Sequence, residues 1–342
     1  MFLFQTQPIP RDIPLPLPLP EWLLIALLVI SFLAHILFVN LMLGSSVLSV
    51  IFQVLGLKKK KYDKLAFEIS NTITVNKSIA VVLGVAPLLV INVLYTMYFY
   101  SANALTGNLW ISIIPLLIIA FLLTYYHKYQ WDKFSEKKWQ HISIGILATL
   151  IFLFIPLIFL SNINLMLFPE KWAEIKGAFS AMIIWNVIPR YLHFLAGTTA
   201  ITGLFIVWYF GRAAYAFEEK LPGFSREEVR KLGYKLTFYV TASQIIWGPF
   251  LLFTLPWKGV DWYLAGVVIT GACIAATALF FLWKEIKSGS ENIGKYFVHI
   301  VVLLSFTVLL MGWGRNVYRS NTIDPHKELM KQKTETYYNM KY

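Results

Sequence analysis

Long apolar runs separated by short polar stretches set the plan of this chain. Eight of them, at roughly 21–55, 78–101, 108–126, 141–168, 181–211, 236–256, 262–284 and 294–314, are long enough to cross a bilayer as helices, which takes about 20 residues at 1.5 Å rise. The first run exceeds that length and is expected to tilt or to project beyond the membrane. The predicted fold is an all-α polytopic membrane protein of about eight transmembrane helices, grouped as two four-helix bundles over residues 21–168 and 169–317. Residues 1–20 contain PIPRDIPLPLPLP, whose alternating prolines exclude helix and strand and favour an extended arm on the membrane surface. They show neither the basic start nor the small-residue cleavage site of a removable signal peptide. Residues 318–342 read as a polar tail, expected to meet a partner or to lie loosely ordered.

Composition agrees with the pattern. Of 342 residues, 58% are hydrophobic and 14% charged, against about a quarter charged in a soluble domain. The net charge of +12 would suit a nucleic acid, but the basic residues fall between apolar runs, where they set topology. No nucleic-acid partner is expected; the lipid bilayer is. Lys58 to Lys61 and Lys64 follow the first run, and Lys128, Lys133, Lys137 and Lys138 follow the third. Arg212, Lys220, Arg226, Arg230, Lys231 and Lys235 follow the fifth, and Lys284, Lys287 and Lys295 the seventh. The alternate loops hold only Lys171, Lys176 and Lys258. Both termini are therefore expected outside, in a prokaryotic inner (cytoplasmic) membrane.

An ionisable residue deep in an apolar span is a functional candidate by default. His193 lies about 12 Å along its span from Trp185, and His35 about 20 Å from Trp22. Both are candidate axial ligands for haem iron, with Arg190 near His193 as a cation for a propionate. His299, one turn into the eighth span, and His141, at the start of the fourth, are reserve ligands. Met311 has a suitable depth to be the second ligand opposite His193, although methionine at helical spacing is usually core filler. His127 and His326 are expected to be solvated. The single cysteine, Cys273, excludes a disulfide, a c-type haem attachment site and an iron–sulfur cluster, so any haem is noncovalent. Acidic residues sit in loops and span ends, Glu21, Glu68, Asp132, Glu170 and Asp261 among them, which argues against a proton-coupled transporter. The sequence has no hydrolase triad, phosphate loop or zinc motif.

Several segments, taken in order, resemble subunit I of the cytochrome bd quinol oxidase family. AHILFVNLMLGSSVLSVIFQVLG (34–56) resembles its first span, Trp131-Asp132-Lys133 with Gln140-His141 its connection from third to fourth span, and SNINLMLFP (161–169) the end of its fourth. RYLHFLAGTTAITGLF (190–205) resembles its fifth span, and Gly312-Trp313-Gly314-Arg315-Asn316-Val317-Tyr318 its Gly-Arg-Gln-Pro-Trp signature. The resemblance implies that His35 ligates a haem in the first bundle and His193 a low-spin haem b near the outer surface, with Arg315 a further propionate or partner-facing cation. It also has departures. Asn92 and Ser112 stand where the family has glutamates, and DWYLAGVVITG (261–271) lacks its haem-ligating methionine. The quinol-binding loop has shrunk to PWKGVDW (256–262), and the last span is missing. These departures argue against haem d.

The expected function is that of a membrane cytochrome b subunit in a respiratory electron-transfer complex. It would carry more than one noncovalent haem b and relay electrons between the quinone pool or a redox partner and an extracytoplasmic cytochrome. Another membrane redox subunit and an outside c-type cytochrome are the expected protein partners, and quinone is a candidate ligand. The alternatives are a divergent bd-type terminal oxidase and a haem-poor scaffold that anchors redox subunits.

Overall fold

In a computed structural model the chain is described over residues 17–184, 186–289 and 291–341; the arm's residues 1–16 lie outside that range. α1 (Glu21–Gly56) begins where the prolines stop, directly after Pro20, with Glu21 in its first turn, where an acid suits the positive end of the helix dipole. α2 (Lys60–Leu94) returns antiparallel to it through a tight turn: a Cβ at Gly56 would stand 2.7 Å from the backbone of Asp63. α3 (Thr96–Ile111) breaks at Gly107, whose φ of 45° favours glycine,. Its first part packs on α5 (Lys138–Met166), on the 3-10 turn Pro169–Glu174 and on α6 (Ala178–Met182), while α4 (Ile113–Tyr129) completes the third span. The second half comprises α7 (Val187–Gly211), short α8 (Phe217–Lys220), α9 (Arg226–Thr254), α10 (Trp262–Lys287) and α11 (Phe297–Lys341). Among the described residues eight helical segments are long and apolar enough to cross a membrane, so the chain is a multi-pass, helical membrane protein.

Small residues bring the helices together, as packing between helices in lipid requires. Gly203 and Gly233 face each other across α7 and α9, where a Cβ on Gly203 would lie 2.7 Å from the Gly233 carbonyl. Gly44 does the same for α1 and α7, with the carbonyl of Thr198 at 2.7 Å. α1 packs on α2, α5, α7 and α11, so the first helix is a wall of both halves of the molecule.

Two boundaries differ from the hydropathy pattern. The second span starts far earlier than residue 78, because α2 runs on through Lys60, Asp63 and Lys64, which a hydropathy window rejects but a helix continuing into water tolerates. The tail after 317 continues α11 as a helix to Lys341. At 45 residues α11 is about 67 Å long, roughly twice the hydrocarbon thickness; its distal half runs on past Tyr95, Tyr98 and Trp172, which Arg319, Lys327 and His326 touch, and the turns after Met330 project beyond these contacts.

Candidate functional site

The outer half of the second bundle gathers positive charge. Arg190 is one turn before His193 on α7, and Arg315 and Arg319 are one turn apart on α11. Each of the three guanidiniums lies within electrostatic range of another: Arg190 with Arg319, Arg315 with both. Arg315 rests over the Phe32 ring at 4.8 Å and Arg319 over Tyr95 at 5.2 Å. Among the described residues none of the three forms an ion pair. α7 and α11 are not a closely packed pair.

His193 borders the same region. The side-chain amide of Gln244 on α9 donates to the His193 carbonyl at 3.3 Å. The buried Nδ1 of His193 and the Oε1 of Gln244 each lack a hydrogen-bond partner. A bond between them would fix the ring and present Nε2, the arrangement that orients a metal-ligating histidine. Met311 instead rests its terminal methyl on Gly271 of α10. Trp185 lies outside the described residues.

His35 occupies the α1–α2 seam. Its Nδ1 donates to the Ala80 carbonyl at 2.8 Å, which leaves the Nε2 lone pair free to bind a metal. Gly84 makes room for the ring, since a Cβ there would stand 2.9 Å from Cε1.

The other histidines are placed differently. His141 is fully buried at the lysine-rich end and stacks on His127, with ring centroids 4.2 Å apart. The Gln53 amide donates to His141 Nδ1, His141 Nε2 donates to the His127 carbonyl at 2.7 Å, and His127 Nε2 donates to Gln53 Oε1 at 3.0 Å. This closed network engages both nitrogens of His141. His299 is exposed beside Phe281 and Tyr296. The expectation that His127 and His326 are solvated is overturned. His127 is 4% exposed because Gln53 reaches its ring, and His326 is 8% exposed because the continuing α11 lays it on Tyr98 and Trp172. Tyr98 Oη meets His326 Nδ1 at 3.0 Å.

Sequence reasoning passed over Arg319, Gln244, Gln53 and Lys77. Arg319 is one helical turn beyond Arg315, a signal that reading α11 as a tail concealed. Lys77 is fully buried; its ammonium donates to the Phe121 carbonyl at 3.2 Å and lies 3.4 Å from the Tyr125 ring centroid. Glu68, placed at a span end, is also buried, at 6% exposure, and so is Glu285 of α10. Glu68 accepts from Tyr215 Oη at 2.8 Å, and burial together with this bond pushes the Tyr215 hydroxyl well above the usual tyrosine range. The side chains of Asn92 and Ser112 bond their own helices: Asn92 donates to the Leu88 carbonyl and Ser112 to the Leu109 carbonyl, both at 2.7 Å.

No protein-family model matches the sequence, and no curated protein matches it. Among solved structures, the chain is similar to the bd oxidase from Geobacillus thermodenitrificans, with a TM-score of 0.66 and 13% sequence identity over 88% of each chain. The fold of this chain is that of a bd oxidase-like helical membrane protein.

Proposed function

We propose that the chain is a haem-b-carrying membrane subunit of a respiratory electron-transfer complex in a prokaryotic cytoplasmic membrane. His193 and His35 would each hold the iron of a different haem, and Arg190, Arg315 and Arg319 would pair with propionates. The observation that carries this reading is the set of three arginines on α7 and α11 that lie within electrostatic range of one another and form no ion pair among the described residues. Charges removed from water are retained where something pairs with them, and a haem brings two carboxylates on one rigid ring. The donor chemistry fits. His193 and His35 each have a ring nitrogen free of protein partners, and the aromatic and apolar surroundings suit a porphyrin face.

Haem b, when bound, supplies one-electron redox chemistry at its iron. The residues do the rest. Ala80 and Gln244 orient the two imidazoles, the guanidiniums set the local potential, and the packed helices exclude water. Met311 is a second ligand for the outer haem only if its thioether turns from Gly271; His141 is left out of the ligand set because both nitrogens are engaged. The cleft lined by Ile183, Ile188, Phe253 and Pro256, where the buried Asn186 Oδ1 lacks a partner, suits a lipid-soluble electron carrier such as a quinol. The projecting part of α11 is the surface for a redox partner, for which an extracytoplasmic c-type cytochrome is the proposed class.

A reduced-minus-oxidised spectrum with pyridine haemochrome quantification on the purified protein tests the reading. Haem b without haem d is expected. A well-folded preparation without haem would leave a scaffold, and a haem d band would restore the oxidase.

A further inference from the structure

Two lysine ammoniums meet at the seam between α2 and α4, toward the lysine-rich end of the first bundle. Lys77 on α2 is fully buried. Its ammonium donates to the Phe121 carbonyl at 3.2 Å and stands 4.4 Å and 3.4 Å from the centroids of the Phe121 and Tyr125 rings. Lys128, next to the last residue of α4, does not simply extend into water, the usual course for a lysine at a span end. Half-buried, it reaches across the seam and donates to Thr74 Oγ1, one turn before Lys77, at 3.1 Å. The two ammoniums lie within electrostatic range of each other, and among the described residues neither forms an ion pair.

Like charges drawn together away from water repel, and aromatic faces and one hydroxyl offset only part of that cost. An anion beside Lys128 would relieve both. The wall next to the pair says which kind of anion fits. Tyr125, which covers Lys77, also lines a shallow groove of about 510 Å³ with Leu122, Tyr126 and Tyr129. Tyr129 lies 5.6 Å from the Lys128 ammonium, and its ring stacks on that of Tyr125. Leu122, Tyr126 and Tyr129 are exposed on the outward face of α4, where apolar bodies with polar tips suit the boundary between headgroups and acyl chains. α4 packs chiefly on α5 and only lightly on α2, so the seam is open to a molecule that wedges there. A small soluble anion gains nothing from an apolar wall, whereas a lipid with an anionic head uses both features. A zwitterionic lipid brings its own cation and leaves the lysines uncompensated.

We propose that the α2–α4 seam is a binding site for an anionic glycerophospholipid in the leaflet on the lysine-rich side. Its phosphate meets the Lys128 ammonium, Lys77 adds a second positive charge behind Tyr125, and an acyl chain follows the groove from Tyr129 to Leu122. Basic pockets between membrane helices on this side bind such headgroups. The site differs from the run Lys58 to Lys61, whose exposed side chains offer charge without an apolar wall. The bound lipid joins two helices that pack weakly on each other, so it stabilises the first bundle. The site is independent of any haem.

Photo-crosslinking in vesicles tests the site. Phosphatidylglycerol with a diazirine in one acyl chain is reconstituted with the protein and irradiated, and the labelled peptides are mapped by mass spectrometry. Label is expected on the segment from Leu122 to Tyr129. It should fall about fivefold in Lys128→Gln, the effect of one cation beside an anionic lipid, and as far with a phosphatidylcholine probe of the same chains. Lys128→Arg should restore it, and Lys331→Gln, exposed on the distal part of α11, should leave it unchanged. Equal labelling by the two probes, or undiminished labelling in Lys128→Gln, overturns the site. Displacement of the label by inorganic phosphate would make it a site for a soluble anion and overturn the lipid. A thermal melt in detergent gives a second readout. Added phosphatidylglycerol should raise the melting temperature of the native protein and not that of Lys77→Met/Lys128→Gln, and an equal rise in both overturns the role of the lysine pair.

Discussion

Arg190 on α7 and Arg319 on α11 come within electrostatic range of each other, and neither meets a carboxylate among the described residues. Two like charges held together in this way destabilise the protein unless an anion joins them. Arg319→Leu is therefore expected to weaken haem retention about ten- to a hundredfold, the equivalent of one charged hydrogen bond of roughly 1.5–3 kcal/mol. It should also leave the empty protein no less stable to heat. Haem titration of the stripped protein, followed by a thermal melt, checks both. A variant that binds haem normally and melts lower would make Arg319 purely structural.

His193→Ala should remove one haem and its redox wave, while the haem at His35 remains. Gln244→Leu should keep the haem but alter its low-spin signature, because it removes the amide oxygen available to pair with His193 Nδ1,. Electron paramagnetic resonance on the oxidised protein separates the two outcomes. Unchanged haem stoichiometry in His193→Ala would sink the assignment.

Gly84→Ala isolates the other ligand. The added methyl would stand 2.9 Å from His35 Cε1, so the ring must move and the bond to Ala80 must lengthen. A shifted spectrum confined to one haem is expected, with the His193 haem untouched. An unaltered spectrum would place the His35 ring away from any haem.

Tyr215 gives a pH dependence with a definite sign. Burial and its bond to Glu68 raise its pKa above the usual value of about 10,, so the folded protein keeps a proton that the unfolded chain releases. That stabilisation is complete below about pH 10 and is lost as pH rises toward the folded pKa. Tyr215→Phe should lower stability near neutrality by roughly 1.5–3 kcal/mol, since it strips a buried carboxylate of a donor. The difference from the native protein should narrow above about pH 10. Detergent melts from pH 8 to 11 measure it, and a constant difference would refute the linkage.

The eight spans were readable because lipid leaves the backbone few choices and apolar length decides. His35 and His193 were readable as candidates because deep histidines stand out against Leu, Ile and Phe. The reading faltered where polar residues pack against other polar residues. Hydropathy treats Lys60 to Lys77 as the outside of a span and residues after 317 as a tail, yet both continue helices. His127, His326 and Lys77 are buried by partners distant in sequence, namely Gln53, Tyr98 and Phe121, and no local pattern carries those pairings. Arg319 was hidden by the same misreading of α11.

α1 carries His35, supplies Phe32 beneath Arg315, and crosses α7 at Gly44. Both proposed haem positions thus abut a single continuous rod. The spacing of the two candidate ligands is therefore set by the α1–α7 crossing at Gly44, where a Cβ would stand 2.7 Å from the Thr198 carbonyl. Helices that do not touch this crossing can lean under lateral pressure or a change in membrane thickness while His35 and His193 keep their separation.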